Sequence, residues 1–304
     1  MARSLALSHL VRAEDSTWFG VWGLFHLRSA FQPIFSFSNG KLSIYAFEGL
    51  IRPSRDGELL SPAAFFSTFT ALERFHVETL TRNLHLLNAA QCLSETSSIF
   101  VNFDPAVFVE TAMAETALRD MRLVLHEAKI DPQRIVCEVT ENRVASDEKF
   151  AELVKALRDH GFRIAVDDYG ADDSDMSRVQ ELSPDIVKFD AIWITRLMET
   201  GAGIALLRAM VGEFEQRGIS TLFEGLEEPW HVEVAASCGV SMVQGYALGR
   251  PQTVPANFET FDMPGIAETA VEPDVNEETV EHERLVAVGG RARRVFGRRI
   301  RKHR

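Results

Sequence analysis

Seven short motifs place a carboxylate, amide or ammonium side chain at or near the end of an apolar run. One such motif is common, but seven in order, separated by helix-length spacers, are difficult to explain by folding alone. A carboxylate is costly to bury unless it is paired or bound to metal. Together the motifs could build a site for two divalent metal ions. They are Phe47-Glu48-Gly49-Leu50-Ile51-Arg52, Phe100-Val101-Asn102, Cys137-Glu138-Val139-Thr140-Glu141, Val166-Asp167-Asp168-Tyr169-Gly170, Val187-Lys188-Phe189-Asp190, Phe223-Glu224-Gly225-Leu226-Glu227 and Val243-Gln244-Gly245-Tyr246.

The adjacent acids Asp167 and Asp168 form the most informative pair. Neighbouring carboxylates repel unless a positive charge lies between them, and one carboxylate can bridge two divalent ions about 4 Å apart. Asp is also a good helix N-cap, so a solvated turn before a helix is the alternative for this pair alone. Oxygen donors without histidine suit Mg²⁺ or Mn²⁺ rather than zinc. Four further donors favour the metal interpretation: Glu48, Asn102, Glu138 and Glu224.

Two basic residues complete the predicted chemistry. Lys188 ends its own apolar run and could orient or deprotonate the attacking water; a salt bridge to a neighbouring acid is its structural alternative. Arg52, four residues after Glu48, could hold a phosphate through two hydrogen bonds, or merely cap the loop.

The elements that must position these residues alternate between apolar strands and amphipathic helices. Asn39-Gly40 between two apolar runs predicts a hairpin, and Ser61-Pro62 predicts a helix start. The later alternation is typical of a parallel sheet covered by helices. The fold predicted for residues 28–260 is an α/β TIM-type (β/α)8 barrel with an antiparallel first strand. In such a barrel the carboxyl ends of the strands converge on one mouth, where the motifs fall.

The two ends of the chain are expected to lie outside the barrel. Trp18, Trp22 and Phe25 recur near helical spacing, which predicts a helical extension over residues 1–27. Residues 261–290 are rich in acids and predict a flexible linker, followed by a basic tail over 291–304. The tail could bind an anionic membrane surface or an acidic partner, or could simply be solvated.

Composition limits the classes of protein this chain can be. The net charge is −12, and eight Lys and Arg between 291 and 304 leave −20 for residues 1–290. So acidic a body is a poor DNA binder, and it would repel a phosphate ligand unless metal ions intervene. Three widely spaced cysteines and the lack of a signal peptide or membrane span predict a cytoplasmic protein, peripheral at the inner membrane if the tail binds lipid.

Together these residues resemble the EAL-domain family, phosphodiesterases that open cyclic di-GMP to linear pGpG. Glu48-Gly49-Leu50-Ile51-Arg52 is similar to the Glu-Ala-Leu-Leu-Arg signature of that family. The resemblance follows the family's order over about residues 28–255. It also includes Phe31-Gln32-Pro33-Ile34, Val101-Asn102, Glu138-Val139-Thr140-Glu141, Asp167-Asp168-Tyr169-Gly170, Lys188-Phe189-Asp190, Glu224-Gly225-Leu226-Glu227 and Gln244-Gly245-Tyr246.

The resemblance implies a role for each matching position. It implies two Mg²⁺ or Mn²⁺ ions, one held by Glu48, Asn102, Glu138 and Asp167 and the other by Asp167, Asp168 and Glu224. Lys188 would assist the nucleophilic water, and Glu141 and Glu227 would be supporting acids. The substrate side would be lined by Gln32, Arg52, Asp190 and Gln244. A homodimer is a further implied partner.

Three departures from the family pattern bear on activity. Gly49 replaces alanine, a small-for-small change expected to be tolerated although it loosens the strand. Asp104 adds a charge near the mouth, and Asp172 replaces a glycine in the loop after Asp167-Asp168. Because every predicted ligand is present, an active cyclic di-GMP phosphodiesterase is the first interpretation. The alternative is a catalytically weak or inactive cyclic di-GMP receptor or protein-interaction module.

Overall fold

The computed structural model describes residues 5–38, 41–107, 111–140, 147–171, 179 and 182–256. The strands are β1 (Leu10–Arg12), β2 (Trp18–Trp22), β3 (Phe25–Ser38), β4 (Lys41–Arg55), β5 (Glu58–Leu59), β6 (Ser98–Phe103), β7 (Ile135–Thr140), β8 (Arg163–Tyr169), β9 (Ile186–Phe189), β10 (Ser220–Phe223), β11 (Met242–Val243) and β12 (Gln252–Thr253). The helices are α1 (Leu5–Ser8), α2 (Pro62–Phe66), α3 (Ala71–Cys92), α4 (Thr111–Ala128), α5 (Asp147–Asp159), α6 (Ala191–Met198), α7 (Gly201–Gln216) and α8 (Pro229–Cys238).

Eight of the strands close into a barrel. From β4 through β6, β7, β8, β9, β10 and β11, each strand pairs in parallel with the next. Strand β3 closes the ring by pairing antiparallel with both β4 and β11. The predicted TIM-type barrel with an antiparallel first strand is therefore confirmed.

The barrel interior contains one apolar layer to which each of the eight strands contributes a single buried residue. A layer filled in this way is a packed core rather than a pore. It therefore forms a solid floor beneath the mouth. The layer consists of Ile34, Ala46, Phe100, Val136, Ala165, Ile186, Leu222 and Met242.

Outside the barrel, the alternate residues of the strands pack against the helices. Val101 and Phe103 of β6, for example, belong to one apolar cluster with Leu118 and Met121 of α4. Helices α4 and α6 were not predicted from the sequence. The predicted hairpin is confirmed, since β3 and β4 pair as far as Ser38 and Lys41, the residues flanking Asn39-Gly40.

The predicted helix start at Ser61-Pro62 is also present. Ser61 caps α2, and its side chain accepts a hydrogen bond of 3.2 Å from the Ala64 N–H. Helix α5 ends at Asp159, shortly before Gly161, which has a φ of +85°. The predicted acidic linker and basic tail lie outside the described residues.

The predicted helical extension over residues 1–27 is wrong for most of its length. Among the described residues 5–27, only Leu5–Ser8 is helical, while Trp18–Trp22 forms β2 and pairs antiparallel with β3 across the turn at Gly23 and Leu24. A spacing of four residues puts Trp18 and Trp22 on one face of a strand as well as of a helix. Both tryptophans pack against an apolar cluster shared by β3, β4, α2 and α3, so this hairpin extends the sheet.

Candidate metal centre

A ring of polar side chains lies one layer above the apolar floor of the barrel. The side chains of residues i and i+2 of a strand point to the same face. The side chain two residues beyond each floor residue therefore also points into the barrel. Toward the mouth, this step reaches a polar residue in all eight cases, although Glu224 and Gln244 directly follow β10 and β11. On antiparallel β3 the step runs backward along the chain. The ring consists of Gln32, Glu48, Asn102, Glu138, Asp167, Lys188, Glu224 and Gln244.

Lys188 is the buried cation of this ring, with 2% of its side chain exposed. Its Nζ lies 3.0 Å from Asp167 Oδ1 and 2.7 Å from Glu224 Oε1, and it also pairs with Glu138 Oε1. Burial alone would lower the pKa of Lys188, but the surrounding carboxylates outweigh burial and raise this pKa well above its ordinary value. Lys188 is therefore a stable ammonium ion in the metal-free chain.

The carboxylates are held in an environment that opposes their ionisation. Burial raises the pKa of Glu138 well above its usual range, against the charge of Lys188. Burial also raises the pKa of Glu224 to about 8, and the negative charges of Asp167 and Glu48 add to this effect. The single ammonium ion of Lys188 thus does not balance the negative charge of the acids around it. Binding of a further cation in the ring would be electrostatically favourable.

A hydrogen bond links the ring residues Glu48 and Gln244. Gln244 Nε2 donates a hydrogen bond of 2.8 Å to Glu48 Oε2, and Gln32 Nε2 donates one of 3.1 Å to the Gly249 carbonyl. One carboxylate oxygen each of Glu48, Glu138 and Glu224 lies within 4.8 Å of the other two. These acids, predicted from three separate motifs, are brought together by the barrel.

The donor atoms fit a hard divalent cation. Within the described part of the chain, both oxygens of Glu138 and Oδ1 of Asp167 are buried without a well-aligned hydrogen-bond donor, although Lys188 is close enough for ion pairing. Buried polar atoms are rarely left in this state. Carboxylate and amide oxygens, with no sulfur or imidazole in the ring, are the ligands that Mg²⁺ and Mn²⁺ prefer. Glu48, Glu138, Asp167 and Glu224 could hold such an ion.

A β-bulge positions Asp167 and Asp168 differently. The pairing of β8 with β9 shifts between Val166 and Tyr169, and Asp168 has a left-handed φ of +58°. A bulge turns a side chain away from the regular alternation, and such bulges are common next to active sites. Strand β8 continues past Val166 to Tyr169 and so includes both acids. Asp167 is half-buried in the ring, whereas Asp168 is exposed at the mouth.

A cavity of about 290 Å³ opens beside the ring. Asn102, Asp167 and Asp168 line it, so these three predicted ligands share one space. Residues of β4, α2 and α3 also line it. These residues are Gly49, Leu50, Ile51, Pro62, Phe66, Arg74, Glu78, Thr81, Arg82 and His85, with Asp104 and Thr140 completing the lining.

Other predicted residues lie outside the ring. Arg52 is on β4, four residues after Glu48 and on the same face of the strand. Its side chain donates a hydrogen bond of 3.0 Å to the Ile51 carbonyl. Asp190 caps α6 by accepting from the Trp193 N–H at 2.8 Å, a structural role at this position. Glu227 is exposed in the loop after β10. Glu141 and Asp172 lie outside the described residues.

A set of charged residues on α3, not predicted from the sequence, holds the end of β6. Arg82 is buried, donates to the Asn102 carbonyl at 3.3 Å and lies 4.1 Å over the Phe103 ring. Arg74 pairs with Asp104 at 2.5 Å and with Glu78 at 2.9 Å. The departure at Asp104 thus adds no free charge. No sequence signal marked these residues, because nothing in α3 indicates which strand it faces.

A closed barrel with this acidic ring at its mouth defines a TIM-type protein with a candidate metal centre. The family model of the EAL domain matches residues 24–251, and the chain therefore belongs to the EAL-domain family. Probable cyclic di-GMP phosphodiesterase PdeA of Escherichia coli K12 is 26% identical over 209 residues. Cyclic di-GMP phosphodiesterase PdeB of Shewanella oneidensis is 25% identical over 213 residues. The matches cover 67% and 68% of this chain but 28% and 24% of those relatives.

Solved structures with the same fold include complexes with metal and nucleotide. The YkuI protein of Bacillus subtilis, with cyclic di-GMP and calcium, has a TM-score of 0.65 and 26% identity. BlrP1 of Klebsiella pneumoniae, with manganese and cyclic di-GMP, has a TM-score of 0.66 and 27% identity. The matches cover 77% and 75% of this chain and 56% of each of those chains. Among the described helices of this protein, none combines the length and apolar character needed to cross a membrane.

Proposed function

We propose that this protein hydrolyses cyclic di-GMP to linear pGpG with two divalent metal ions, Mg²⁺ or Mn²⁺. The observation that carries the proposal is the ring, in which buried oxygens of Glu138 and Asp167 lack aligned donors beside a single ammonium ion. Membership of the EAL-domain family and the named relatives support the choice of substrate.

The protein's own residues have distinct roles in this proposal. Glu48, Asn102, Glu138 and Asp167 would hold one ion, and Asp167, Asp168 and Glu224 the second. Asp167 lies between Lys188 in the ring and Asp168 at the mouth, which suits a shared ligand. Bound ions would supply a water of lowered pKa and neutralise charge on the phosphate.

Lys188 would orient the attacking water rather than remove its proton. The raised pKa of Lys188 keeps its ammonium group protonated in the metal-free chain, and a group that retains its proton is a poor general base. Gln244 and Gln32 would fix the adjacent side chains, since each already donates a hydrogen bond at the ring or its rim. Arg52, on the same face of β4, would contact a phosphate group.

The decisive experiment incubates purified protein with cyclic di-GMP and Mg²⁺ or Mn²⁺ and separates the nucleotides by chromatography. The wild type should release pGpG, and Glu48→Ala should not. Glu213→Ala is the matched control, because Glu213 is on the outer helix α7 and pairs only locally with Arg217. Binding of cyclic di-GMP without release of pGpG would instead indicate a cyclic di-GMP receptor. The absence of both binding and product would refute both interpretations.

A further inference from the structure

Gly49 lies with its backbone against the imidazole of His85. Because Glu48 points into the barrel, its neighbour Gly49 points outward, toward α3. A Cβ at position 49 would lie 2.9 Å from Cγ of His85 and 3.1 Å from its Cβ and Cδ2. Carbon atoms in contact need about 3.5 Å or more, so alanine does not fit beside this ring. The imidazole occupies the space of the missing methyl group.

His85 is also tied to strand β3. Its Nδ1 lies 2.9 Å from the Ser29 hydroxyl, which in turn accepts a hydrogen bond of 3.1 Å from Asn88 Nδ2. Burial, together with the charges of Arg52 and Arg82, lowers the pKa of His85 to about 3. A neutral ring can accept the hydroxyl proton at Nδ1, so the Ser29 hydroxyl both donates to His85 and accepts from Asn88. His85 thus touches β4 through Gly49 and β3 through Ser29.

These contacts lie directly behind two residues of the ring. Gln32 and Glu48 are paired across β3 and β4, and the next pair toward the mouth is Phe31 with Gly49. The Phe31 ring meets His85 edge to face, with 6.2 Å between the ring centres. His85 therefore backs the part of the β3–β4 hairpin that carries Gln32 and Glu48 on its other side.

We propose that Gly49 and His85 form a complementary pair that fixes Glu48 in the metal-binding ring. His85 is in this sense a positioning residue, acting on the metal through the strand. The glycine is then required by the imidazole and is not a neutral replacement for alanine. This inference rests on the proposed metal-dependent function.

The test measures Mn²⁺ binding by titration calorimetry for Gly49→Ala, His85→Ala and the double variant. Gly49→Ala should bind Mn²⁺ about tenfold more weakly or worse, as is typical when support behind a metal ligand is disturbed. In the His85→Ala background the added methyl group should cost little, since the ring that it meets is gone. Gly212→Ala is the matched control, because a Cβ there meets nothing within 4 Å, and it should bind like the wild type.

A second readout does not depend on metal. Amide hydrogen exchange of peptides covering 46–51 should speed up in His85→Ala more than that of peptides covering 186–189 on the opposite side of the barrel. His85→Asn keeps an acceptor for Ser29 and should restore part of the protection. This variant set remains informative if Gly49→Ala is too unstable to purify.

Several results would overturn the pairing. The first is that Gly49→Ala binds Mn²⁺ as tightly as the wild type. The second is that the added methyl group weakens Mn²⁺ binding equally with and without the His85 ring. The third is that amide exchange over residues 46–51 is unchanged in His85→Ala. A wild type that binds no Mn²⁺ would refute the proposed function. The exchange data would then still decide whether His85 holds the strand.

Discussion

Lys188 Nζ lies 2.7 Å from Glu224 Oε1; Lys188 is on β9, and Glu224 directly follows the neighbouring strand β10. The pair is unusual because the same ammonium group also contacts Asp167 and Glu138. A buried cation shared among several acids reduces their mutual repulsion without cancelling it. The ring is consequently stable enough to fold and still negative enough to attract metal.

Replacing Lys188 by methionine should separate these two effects. Loss of the buried ammonium leaves uncompensated acids, so unfolding in urea with EDTA should show a loss of about 3–5 kcal/mol. Mn²⁺ should bind more tightly than to the wild type, because a positive charge has left the site, while turnover should be lost. Lys155→Met is the matched control, since its pair with Asp159 is on the surface, and it should change stability by less than about 1 kcal/mol. Weaker Mn²⁺ binding by Lys188→Met would contradict the electrostatic argument.

Metal affinity should depend on pH through Glu224. The folded, metal-free chain holds this proton up to a pKa of about 8, against an ordinary value of 4.5. The stability of the metal-free protein should therefore fall as pH rises from about 4.5 to 8. Because metal must displace the proton, Mn²⁺ affinity should rise with pH by up to about tenfold per unit and level off near pH 8. Calorimetry between pH 6 and 9 tests this, and Glu224→Gln should flatten the slope. A pH-independent wild type would rule out the displaced proton.

The left-handed backbone at Asp168 predicts that glycine gives a more stable protein than alanine at this position, the reverse of their order within a helix. Both Asp168→Gly and Asp168→Ala remove the carboxylate, but only alanine retains a Cβ at φ of +58°. Asp168→Gly should be the more stable of the two by about 1 kcal/mol in urea unfolding. At Glu213, within helix α7, the order should reverse: Glu213→Ala should be more stable than Glu213→Gly by a similar amount. The same order at both positions would argue against backbone strain at Asp168.

Most of the ring was predictable because its members lie at or near the end of an apolar run, and the alternation of a strand fixes the side to which each one points. Seven of its eight residues fall in the motifs that the sequence marked, and Gln32 came from the family resemblance. The support behind the ring was not predictable in this way. His85 meets Ser29 across 56 residues, and Arg82 meets Asn102 across 20. Such contacts depend on how α3 is oriented against the barrel, which its own sequence does not specify.

Local ambiguity explains the remaining errors. The spacing of Trp18 and Trp22 satisfies a helix and a strand equally, and the tertiary contact with α3 decides for the strand. The bulge at Asp167 and Asp168 breaks the alternation that the sequence pattern assumes. Both cases are settled by packing against elements distant in sequence.

The ion pair between Arg74 and Asp104 should govern how strongly the cavity attracts an anionic nucleotide. Asp104→Asn removes one negative charge at the wall and leaves Arg74 paired with Glu78 alone, yet an asparagine oxygen can still accept the 2.9 Å bond from the Ala106 N–H. At low salt, cyclic di-GMP should bind about three- to tenfold more tightly, and the gain should shrink as salt screens it. Binding is measured with Ca²⁺ at several salt concentrations, and Asp56→Asn, which makes the same charge change at an exposed turn, is the control. An equal gain in the Asp56 variant would attribute the effect to net charge, whereas a gain confined to Asp104 would locate the nucleotide beside Arg74.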